Sequence, residues 1–255
     1  MPHPSFDHTG RNALVTGSTR GIGRALAQAL AGAGARVVLN GRDPATVEAA
    51  RRELAAGGAQ ALGQAFDVTD EAAVTAGIEA IERDTGPIDI LVNNTGVQIR
   101  APLQDFTTAD WNRIVQTNLT SAFLVGRAAA RHMIARGRGK IVNVLSVNAE
   151  CARYSIAPYS ATKGALKMLT KGMCVDWARH NIQVNGLGPG YFATDLTRAL
   201  VEDPEFTAWI QRRVPAGRWG DVAELGGAVV FLASPASDFV TGTILYPDGG
   251  TMAFV

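Results

Sequence analysis

The chain has 255 residues, of which 47% are hydrophobic and 18% charged, and its formal net charge is +1. This composition is typical of a globular protein with a large core, and the small net charge excludes a bulk field that would attract nucleic acid or an anionic membrane. No apolar run approaches the ~18 residues that a membrane span needs. The two cysteines, Cys151 and Cys174, form neither a disulfide framework nor a metal site. We expect a cytoplasmic protein with no metal.

The first ten residues are polar and contain two prolines, so we expect a flexible start and not a signal peptide. Beyond them, short apolar runs alternate with longer stretches of helical periodicity. The strands are predicted at Ala13–Thr16, Arg36–Asn40, Ala61–Phe66, Ile88–Asn93, Lys140–Leu145, Gln183–Leu187 and Thr243–Tyr246. The long helices are predicted at Ile22–Ala33, Pro44–Ala56, Glu71–Thr85, Ala109–Arg136, Tyr159–Arg179 and Val222–Ala233.

Strands that are apolar throughout are buried on both faces, and their alternation with helices favours a parallel sheet. The sequence therefore predicts an α/β fold, a doubly wound parallel sheet of seven strands with helices on both faces. One domain is expected over residues 1–255. Connections are short except for residues 188–222, which include a small predicted helix at Pro204–Arg213. Long inserts of this kind are often functional, so we interpret residues 188–222 as a substrate loop.

The first predicted strand leads into a glycine-rich turn that ends at residue 23 and opens the first long helix. We expect Gly17 to permit the tight turn, Gly21 to let a ligand approach the backbone, and Gly23 to allow close helix–strand packing. The N-terminus of the helix presents free amides and a partial positive charge to a diphosphate. The turn thus predicts a dinucleotide site that also includes Ser18, Thr19, Arg20 and Ile22.

The end of the second strand distinguishes between the two nicotinamide cofactors. NAD sites usually place a carboxylate there for the ribose 2′-hydroxyl. This strand ends at Asn40, and the first acid, Asp43, is better explained as a helix cap. Arg42 and Arg20 suit a 2′-phosphate because guanidinium groups match phosphate geometry. We predict NADP(H) in preference to NAD(H); the alternative is that both arginines are solvated surface residues.

Tyr159 and Lys163 lie four residues apart on a predicted helix, so the phenol and the ammonium share one face. A cation beside a phenol lowers its pKa, which is about 10 in the free side chain. A phenol with a lowered pKa is a useful acid or base near neutral pH. Ser146, upstream, is placed to hold a substrate oxygen beside the phenol. The pair alone is a weak signal, because this spacing occurs by chance in many helices.

Over essentially its full length the chain resembles the short-chain dehydrogenase/reductase family, which has a Rossmann-type fold. Residues 16–23 resemble the family's cofactor turn, and Asp67 and Val68 resemble its adenine-contacting pair. Its Asn-Asn-Ala-Gly strand end corresponds to Asn93, Asn94, Thr95 and Gly96, with threonine in place of alanine. Pro189 and Gly190 resemble the loop that flanks the nicotinamide. The family's catalytic tetrad is matched by Asn118, Ser146, Tyr159 and Lys163.

The resemblance implies a role for each residue of this tetrad. Tyr159 exchanges a proton with the substrate oxygen, and Ser146 hydrogen-bonds that oxygen. Lys163 bonds the nicotinamide ribose and depresses the tyrosine pKa, while Asn118 positions a water that relays protons. The family also implies a homotetramer, with helices Ala109–Arg136 and Tyr159–Arg179 pairing between subunits and the C-terminal strand region forming another interface.

Several shorter segments resemble gluconate 5-dehydrogenases, a group within this family that interconverts D-gluconate and 5-keto-D-gluconate, usually with NADP(H). These segments are residues 96–102, 157–164, 171–174, 176–180, 188–192, 203–206 and 215–221. A sugar acid needs a cation for its carboxylate, and Arg100 and Arg153 should both lie near the carboxyl ends of the strands, where ligands bind in such sheets. Gln98, Asn148 and Glu150 are candidates for its hydroxyl groups, beside Ser146 and Tyr159.

Two other functions remain open. A 3-oxoacyl-thioester reductase acting on acyl carrier protein would share the tetrad and the NADP(H) preference, but its acidic carrier would need a basic patch. The basic residues that resemble such a patch lie mostly along one predicted helix and its end: Arg127, Arg131, Arg136, Arg138 and Lys140. A non-catalytic nucleotide sensor is the third possibility, and the intact tetrad argues against it because a sensor has no need of Tyr159.

Overall fold

The computed structural model describes residues 4–194 and 197–254. In this part of the chain seven parallel strands form one sheet, in the order β3-β2-β1-β4-β5-β6-β7. The strand order reverses between β1 and β4, which is the switch point where open α/β sheets bind their ligands. The strands are β1 (Asn12–Val15), β2 (Arg36–Gly41), β3 (Ala61–Ala65), β4 (Ile88–Asn93), β5 (Gly139–Val144), β6 (Ile182–Leu187) and β7 (Ile244–Leu245). The predicted doubly wound sheet is confirmed.

Helices cover both faces of this sheet, as predicted. Those described are α1 (Gly21–Gly32), α2 (Pro44–Ala56), α3 (Glu71–Asp84), α4 (Thr108–Val115), α5 (Ser121–Arg136), α6 (Ala157–Trp177), α7 (Arg198–Val201), α8 (Pro204–Arg213) and α9 (Gly226–Ala233). The start of α2 is fixed by Asp43, whose carboxylate accepts a bond of 2.9 Å from the backbone amide of Thr46. This confirms the interpretation of Asp43 as a helix cap.

Two predicted helices are interrupted in the structure. The helix predicted at Ala109–Arg136 begins at Thr108, and a π-helical turn at Gln116–Thr120 separates α4 from α5. The helix predicted at Val222–Ala233 begins as a 3-10 turn, Val222–Leu225, before α9. A π turn inserts one residue into a helix without removing its apolar face, so the sequence pattern does not reveal it.

The core has two layers, one on each face of the sheet. On one face α1, α2 and α9 pack on the strands, with Leu26, Leu54 and Val229 buried among them. On the other face α3, α5 and α6 pack around side chains such as Ile78 and Met133. All residues of β5 and β6 are buried, as expected for parallel strands covered on both sides. Within the described ranges, no helix is long and apolar enough to cross a membrane.

The described part of the N-terminal segment, residues 4–10, is packed on the domain, contrary to the expectation of a flexible start. His8 is fully buried, and its Nε2 lies 3.2 Å from the carbonyl oxygen of Val230 on α9. Its backbone amide donates to Ala33 at the end of α1 at 2.8 Å. The contacts that order this segment come from residues distant in sequence, so its polar composition does not predict them.

Candidate active site

The glycine turn has the conformation that the sequence predicts. Gly17 and Gly21 have φ angles of +60° and +56°, a left-handed conformation that favours glycine. A Cβ atom on Gly21 would meet no heavy atom within 4 Å, so the backbone there is open to a ligand. A Cβ atom on Gly23 would lie 2.4 Å from the Gly17 carbonyl oxygen, so α1 packs tightly on the turn. The arrangement leaves the amides at the N-terminus of α1 accessible to a diphosphate.

Polar side chains hold the glycine turn through hydrogen bonds to the backbone. The Ser18 hydroxyl donates to the Val15 carbonyl at 2.7 Å and accepts from the backbone amide of Asn40 at 3.0 Å. The Asn94 side chain donates to the carbonyls of Thr16 and Gly17, each at 3.0 Å. Ser18 and Asn94, which the sequence places in the cofactor site, therefore support the turn through their side chains. Their neighbours in the predicted site are half-buried beside them: Thr19, Ile22 and Thr95.

The residues predicted to recognise the adenosine half of the cofactor lie together beyond β2 and β3. Asn40 is buried, and its side-chain amide donates to the backbone carbonyls of Gln64 and Phe66 at 3.1 and 3.2 Å. The side chain therefore links β2 to the end of β3 and does not face solvent. Arg20 and Arg42 are exposed. Asp67 follows β3, and although burial raises its pKa, hydrogen bonds from Thr69 and the charge of Arg42 bring that pKa below its usual value. The neighbouring Val68 is buried.

The four residues that match the family tetrad converge at the carboxyl end of the sheet. Ser146 follows β5, and Tyr159 and Lys163 lie on α6, with the Lys163 Nζ 5.7 Å from the centre of the Tyr159 ring. Asn118 lies in the π turn, where its amide donates to the Val97 carbonyl at 2.9 Å and accepts from the Val97 amide at 2.7 Å. The π turn thus fixes Asn118 against the loop that follows β4, and such turns are frequent at functional sites.

The pKa of Tyr159 differs from the sequence prediction. Burial raises it, and a hydrogen bond with Ser146 acts in the opposite direction. The ammonium of Lys163 does not bond the phenol; it donates to the Val144 carbonyl at 2.7 Å, and burial lowers its own pKa to about 8. The predicted lowering of the tyrosine pKa by Lys163 is therefore wrong for this arrangement, in which burial raises that pKa. The phenol is therefore protonated at neutral pH, as a free tyrosine is.

The loop predicted to flank the nicotinamide, residues 188–190, is held between two segments. The Pro189 carbonyl accepts from the Val147 amide, beside Ser146, at 3.1 Å. The Gly190 amide donates to Pro247 at 3.0 Å, and a Cβ atom on Gly190 would lie 2.7 Å from the Cα of Asp248. The close approach explains the glycine, and the hydrogen bonds place this loop directly beside the serine.

Two guanidinium groups lie on the loops around this site. The Arg153 guanidinium stacks on the Phe206 ring of α8, 4.7 Å from its centre, and Arg100 donates to the Gln98 side chain at 3.0 Å. Burial and the nearby charge of Arg153 lower the pKa of Arg100. The loops that carry them are joined by a 3.1 Å bond from the Ala101 amide to the Ser155 carbonyl. Two cations that destabilise each other favour a shared anion, such as a carboxylate.

An aromatic cluster in the predicted substrate loop was not predicted. The Tyr191 ring lies 6.3 Å from Phe206, 5.6 Å from Trp209 and 6.1 Å from Trp219, measured between centres. This cluster packs α8 onto the residues after β6 and supports the ring on which Arg153 stacks. The signal was present in the sequence, because five aromatic side chains, these four and Phe192, fall within residues 188–222, a segment that is otherwise rich in charge. Loop composition alone does not show that they meet.

The two polar candidates after Ser146 have different environments. The Asn148 side chain accepts from the Ser146 hydroxyl at 3.3 Å, so it remains beside the predicted reaction site. The Glu150 carboxylate binds the Lys167 ammonium and the Tyr246 hydroxyl, each at 2.6 Å. Protein donors therefore contact both oxygens of Glu150, each of which can accept a further hydrogen bond, and its role toward a substrate hydroxyl stays a prediction.

Comparison with known proteins agrees with this geometry. Residues 17–252 match the family described as Enoyl-(Acyl carrier protein) reductase. The chain is 58% identical over 251 residues to gluconate 5-dehydrogenase of Gluconobacter oxydans (strain 621H), across 98% of each chain. It is 50% identical over 250 residues to 5-keto-D-gluconate 5-reductase of Escherichia coli (strain K12), again across 98% of each.

Among solved structures, gluconate 5-dehydrogenase from Burkholderia cenocepacia J2315 in complex with NADP and tartrate superposes with a TM-score of 0.97. The two chains are 54% identical, and the match covers 99% of each. The chain belongs to the short-chain dehydrogenase/reductase family.

Proposed function

We propose that this protein is an NADP(H)-dependent oxidoreductase that interconverts D-gluconate and 5-keto-D-gluconate. The observation that carries the proposal is the pair of guanidinium groups, Arg100 and Arg153, on loops beside the residues that match the family tetrad. Identities of 50% and 58% to relatives named for this reaction support the same substrate. The relative in complex with NADP and tartrate binds a hydroxylated carboxylate, which has the same functional groups as a sugar acid.

The residues present fit the cofactor. The open turn at Gly21 and the α1 amides would hold the diphosphate, Arg20 and Arg42 the 2′-phosphate, and Asp67 and Val68 the adenine. Thr95, Gly96, Pro189 and Gly190 would line the remainder of the site. The bound cofactor supplies the hydride. Three further side chains would contribute to cofactor binding indirectly, by holding the backbone of the site in place: Asn40, Ser18 and Asn94.

In the proposed reduction, Tyr159 donates its proton to the carbonyl oxygen, and its raised pKa keeps that proton in place at neutral pH. Ser146 and Asn148 hydrogen-bond the same end of the substrate, while Arg100 and Arg153 hold its carboxylate. Lys163, whose pKa is about 8, would bond the ribose hydroxyls and stabilise the phenolate left after proton transfer. Asn118 would hold the water that returns a proton to Tyr159.

The initial rate of NADPH oxidation tests the proposal most directly. It is measured with 5-keto-D-gluconate and, at equal concentration, with an acetoacetyl thioester. Saturable turnover of the keto acid with little turnover of the thioester is expected. The reverse result would overturn the sugar-acid proposal and assign the protein to acyl-chain reduction, with the same cofactor site and tetrad.

The acyl carrier protein alternative follows from the family description, and the basic residues that it would need are largely neutralised. Arg127 pairs with Glu71, and Arg136 binds Glu82 at 2.7 Å. Arg138 lies 3.4 Å from Asp89, and the buried Lys140 lies 2.7 Å from Asp238. A surface of paired charges offers little attraction to an acidic carrier protein, so these residues favour the smaller substrate.

Arg100→Met is expected to raise the KM for 5-keto-D-gluconate about 10- to 100-fold. A hydrogen bond to a charged group contributes about 1.5–3 kcal/mol, and 1.4 kcal/mol corresponds to about tenfold in affinity. Steady-state kinetics should show little change in the KM for a neutral keto sugar, because that substrate has no carboxylate for Arg100 to bind. Arg212→Met, an exposed arginine on α8, is the matched control. Equal losses for acid and neutral substrates would contradict the carboxylate role.

Arg42→Gln is expected to raise the KM for NADPH about tenfold or more and to leave the KM for NADH nearly unchanged. The substitution removes one guanidinium from the proposed 2′-phosphate site and makes no demand on the fold, because Arg42 is exposed. Arg36→Gln, at the opposite end of β2, removes the same charge and should leave both values unchanged. Parallel changes for the two cofactors would show that Arg42 does not discriminate between them.

We extend the proposal to a cytoplasmic homotetramer that needs neither nucleic acid nor a membrane. Residues 1–255 would form one domain, with residues 188–222 as the substrate loop. Exposed apolar side chains support the two subunit interfaces: Phe123 on α5, Met168 and Val175 on α6, and Phe239 and Phe254 near the C-terminus. Light scattering after size exclusion should give four times the chain mass of 26.8 kDa. A monomeric mass would contradict this assembly.

A further inference from the structure

The carboxylate of Glu150 joins three segments that border the active site. Glu150 lies four residues after Ser146, in the connection that leads to α6. Its Oε2 accepts from the Lys167 ammonium, and its Oε1 accepts from the Tyr246 hydroxyl, each at 2.6 Å. Lys167 lies one turn after Lys163 on α6. The side chains of Glu150 and Lys167 are 26% and 25% exposed.

Tyr246 carries this connection to the loop that flanks the nicotinamide. A Cβ atom on Gly188 would lie 2.3 Å from the Tyr246 ring, so the ring fills the space that any other side chain at position 188 would need. The Gly188 amide donates to the Leu245 carbonyl at 2.8 Å, on the other side of the same contact. The Tyr246 ring is therefore packed against the chain immediately before Pro189.

Hydrogen bonds from Lys167 and Tyr246 lower the pKa of Glu150, so the carboxylate is ionised at neutral pH. An ionised acceptor between a cation and a hydroxyl forms charge-assisted hydrogen bonds, which are stronger than neutral ones. The serine loop also contacts the nicotinamide-flanking loop through the backbone bond from Val147 to Pro189. Glu150 is thus a polar side-chain link between the serine loop, α6 and the segment after β7, beside the apolar contacts of Leu145, Leu166 and Ile244.

We infer that Glu150 is a positioning residue, which holds Ser146 in register with Tyr159 and with the nicotinamide-flanking loop. The inference rests on the proposed function, because it assigns Ser146 and Tyr159 to carbonyl reduction. It adds a residue that the tetrad does not contain and that would act through Ser146. A displacement of about 1 Å in a reacting group can reduce a rate about 100-fold.

The test compares four variants of the full chain with the wild type. Glu150→Ala removes the link, Glu150→Gln keeps an acceptor for Tyr246 but removes the charge, and Lys167→Met removes one partner. Lys171→Met is the matched control, since Lys171 lies one turn further along α6 and influences Glu150 only through its charge. The measurements are kcat for carbonyl reduction, the primary deuterium isotope effect with deuterated NADPH, the NADPH dissociation constant and the thermal midpoint.

Glu150→Ala should lower kcat about 10- to 100-fold and raise the isotope effect, with the NADPH dissociation constant within about twofold of wild type. Glu150→Gln and Lys167→Met should show smaller losses of the same kind, and Lys171→Met none. A general loss of stability would instead lower the thermal midpoint and leave kcat and the isotope effect of the folded enzyme unchanged, and that result overturns the inference. If Glu150→Ala does not fold, Glu150→Gln and Lys167→Met carry the test.

The ratio of variant to wild type is taken on whichever carbonyl substrate the wild type reduces, 5-keto-D-gluconate or the acetoacetyl thioester. A wild type that reduces only the thioester would overturn the sugar-acid proposal and still test Glu150. Wild-type kcat and isotope effect in all Glu150 and Lys167 variants would overturn the positioning role, whatever the substrate.

Discussion

Tyr159→Phe is expected to lower kcat for carbonyl reduction about 1000-fold or more, within the range of 10²–10⁴ that general acid catalysis contributes. The substitution removes only the hydroxyl that donates the proton. The ring remains, and with it the contact with Lys163, whose Nζ lies 5.7 Å from the ring centre. Initial rates of NADPH oxidation with 5-keto-D-gluconate measure the loss.

NADPH affinity should survive in the same variant, because none of the residues at the glycine turn contacts the Tyr159 hydroxyl. Fluorescence titration of NADPH checks this, and Tyr154→Phe is the matched control, since Tyr154 lies in the loop just before α6 and is 81% exposed. A variant that retains turnover would remove Tyr159 from the mechanism. A different outcome is that the wild type shows no turnover and that Tyr159→Phe responds to nucleotide as the wild type does. That pair of results would identify the protein as the nucleotide sensor that the sequence analysis left open.

The fold was predictable from sequence because its determinants are local. The continuous apolar runs of β5 and β6 indicated burial on both faces, and Asp43 followed by proline indicated where α2 begins. The π turn that carries Asn118 was not predictable, since one inserted residue leaves the apolar face of the helix intact. The burial of His8 also escaped prediction, because its partner Val230 lies 222 residues away in the chain.

In the candidate site, too, the sequence predicts the features that depend on local contacts and misses those that depend on contacts distant in the chain. The spacing of Tyr159 and Lys163 correctly predicts that they share a face of α6, since that is a property of one helix. It does not predict that the Lys163 ammonium bonds the Val144 carbonyl of another element, or that burial raises the pKa of Tyr159. The contacts of Glu150 were not predicted for the same reason, because both of its partners are distant in sequence.

Gly23→Ala is expected to weaken NADPH binding about tenfold or more. The new methyl group would lie 2.4 Å from both the Gly17 carbonyl oxygen and the Asn94 amide nitrogen, which already bond each other at 3.0 Å. One of them must move, and because the carbonyl is backbone, the turn moves with it. Overpacking of this kind typically costs about 1–3 kcal/mol, and 1.4 kcal/mol corresponds to about tenfold in affinity.

Titration of NADPH against the variant measures this effect, and the helix itself provides the control. Gly32→Ala, at the other end of α1, places a methyl group where no heavy atom lies within 4 Å, so NADPH affinity should be unchanged. The pair separates damage to the turn from a general change in α1, since both variants exchange glycine for alanine in the same helix. If Gly23→Ala bound NADPH as tightly as Gly32→Ala, the diphosphate could not depend on the backbone between Gly17 and Gly23, and the cofactor would have to bind elsewhere on the sheet.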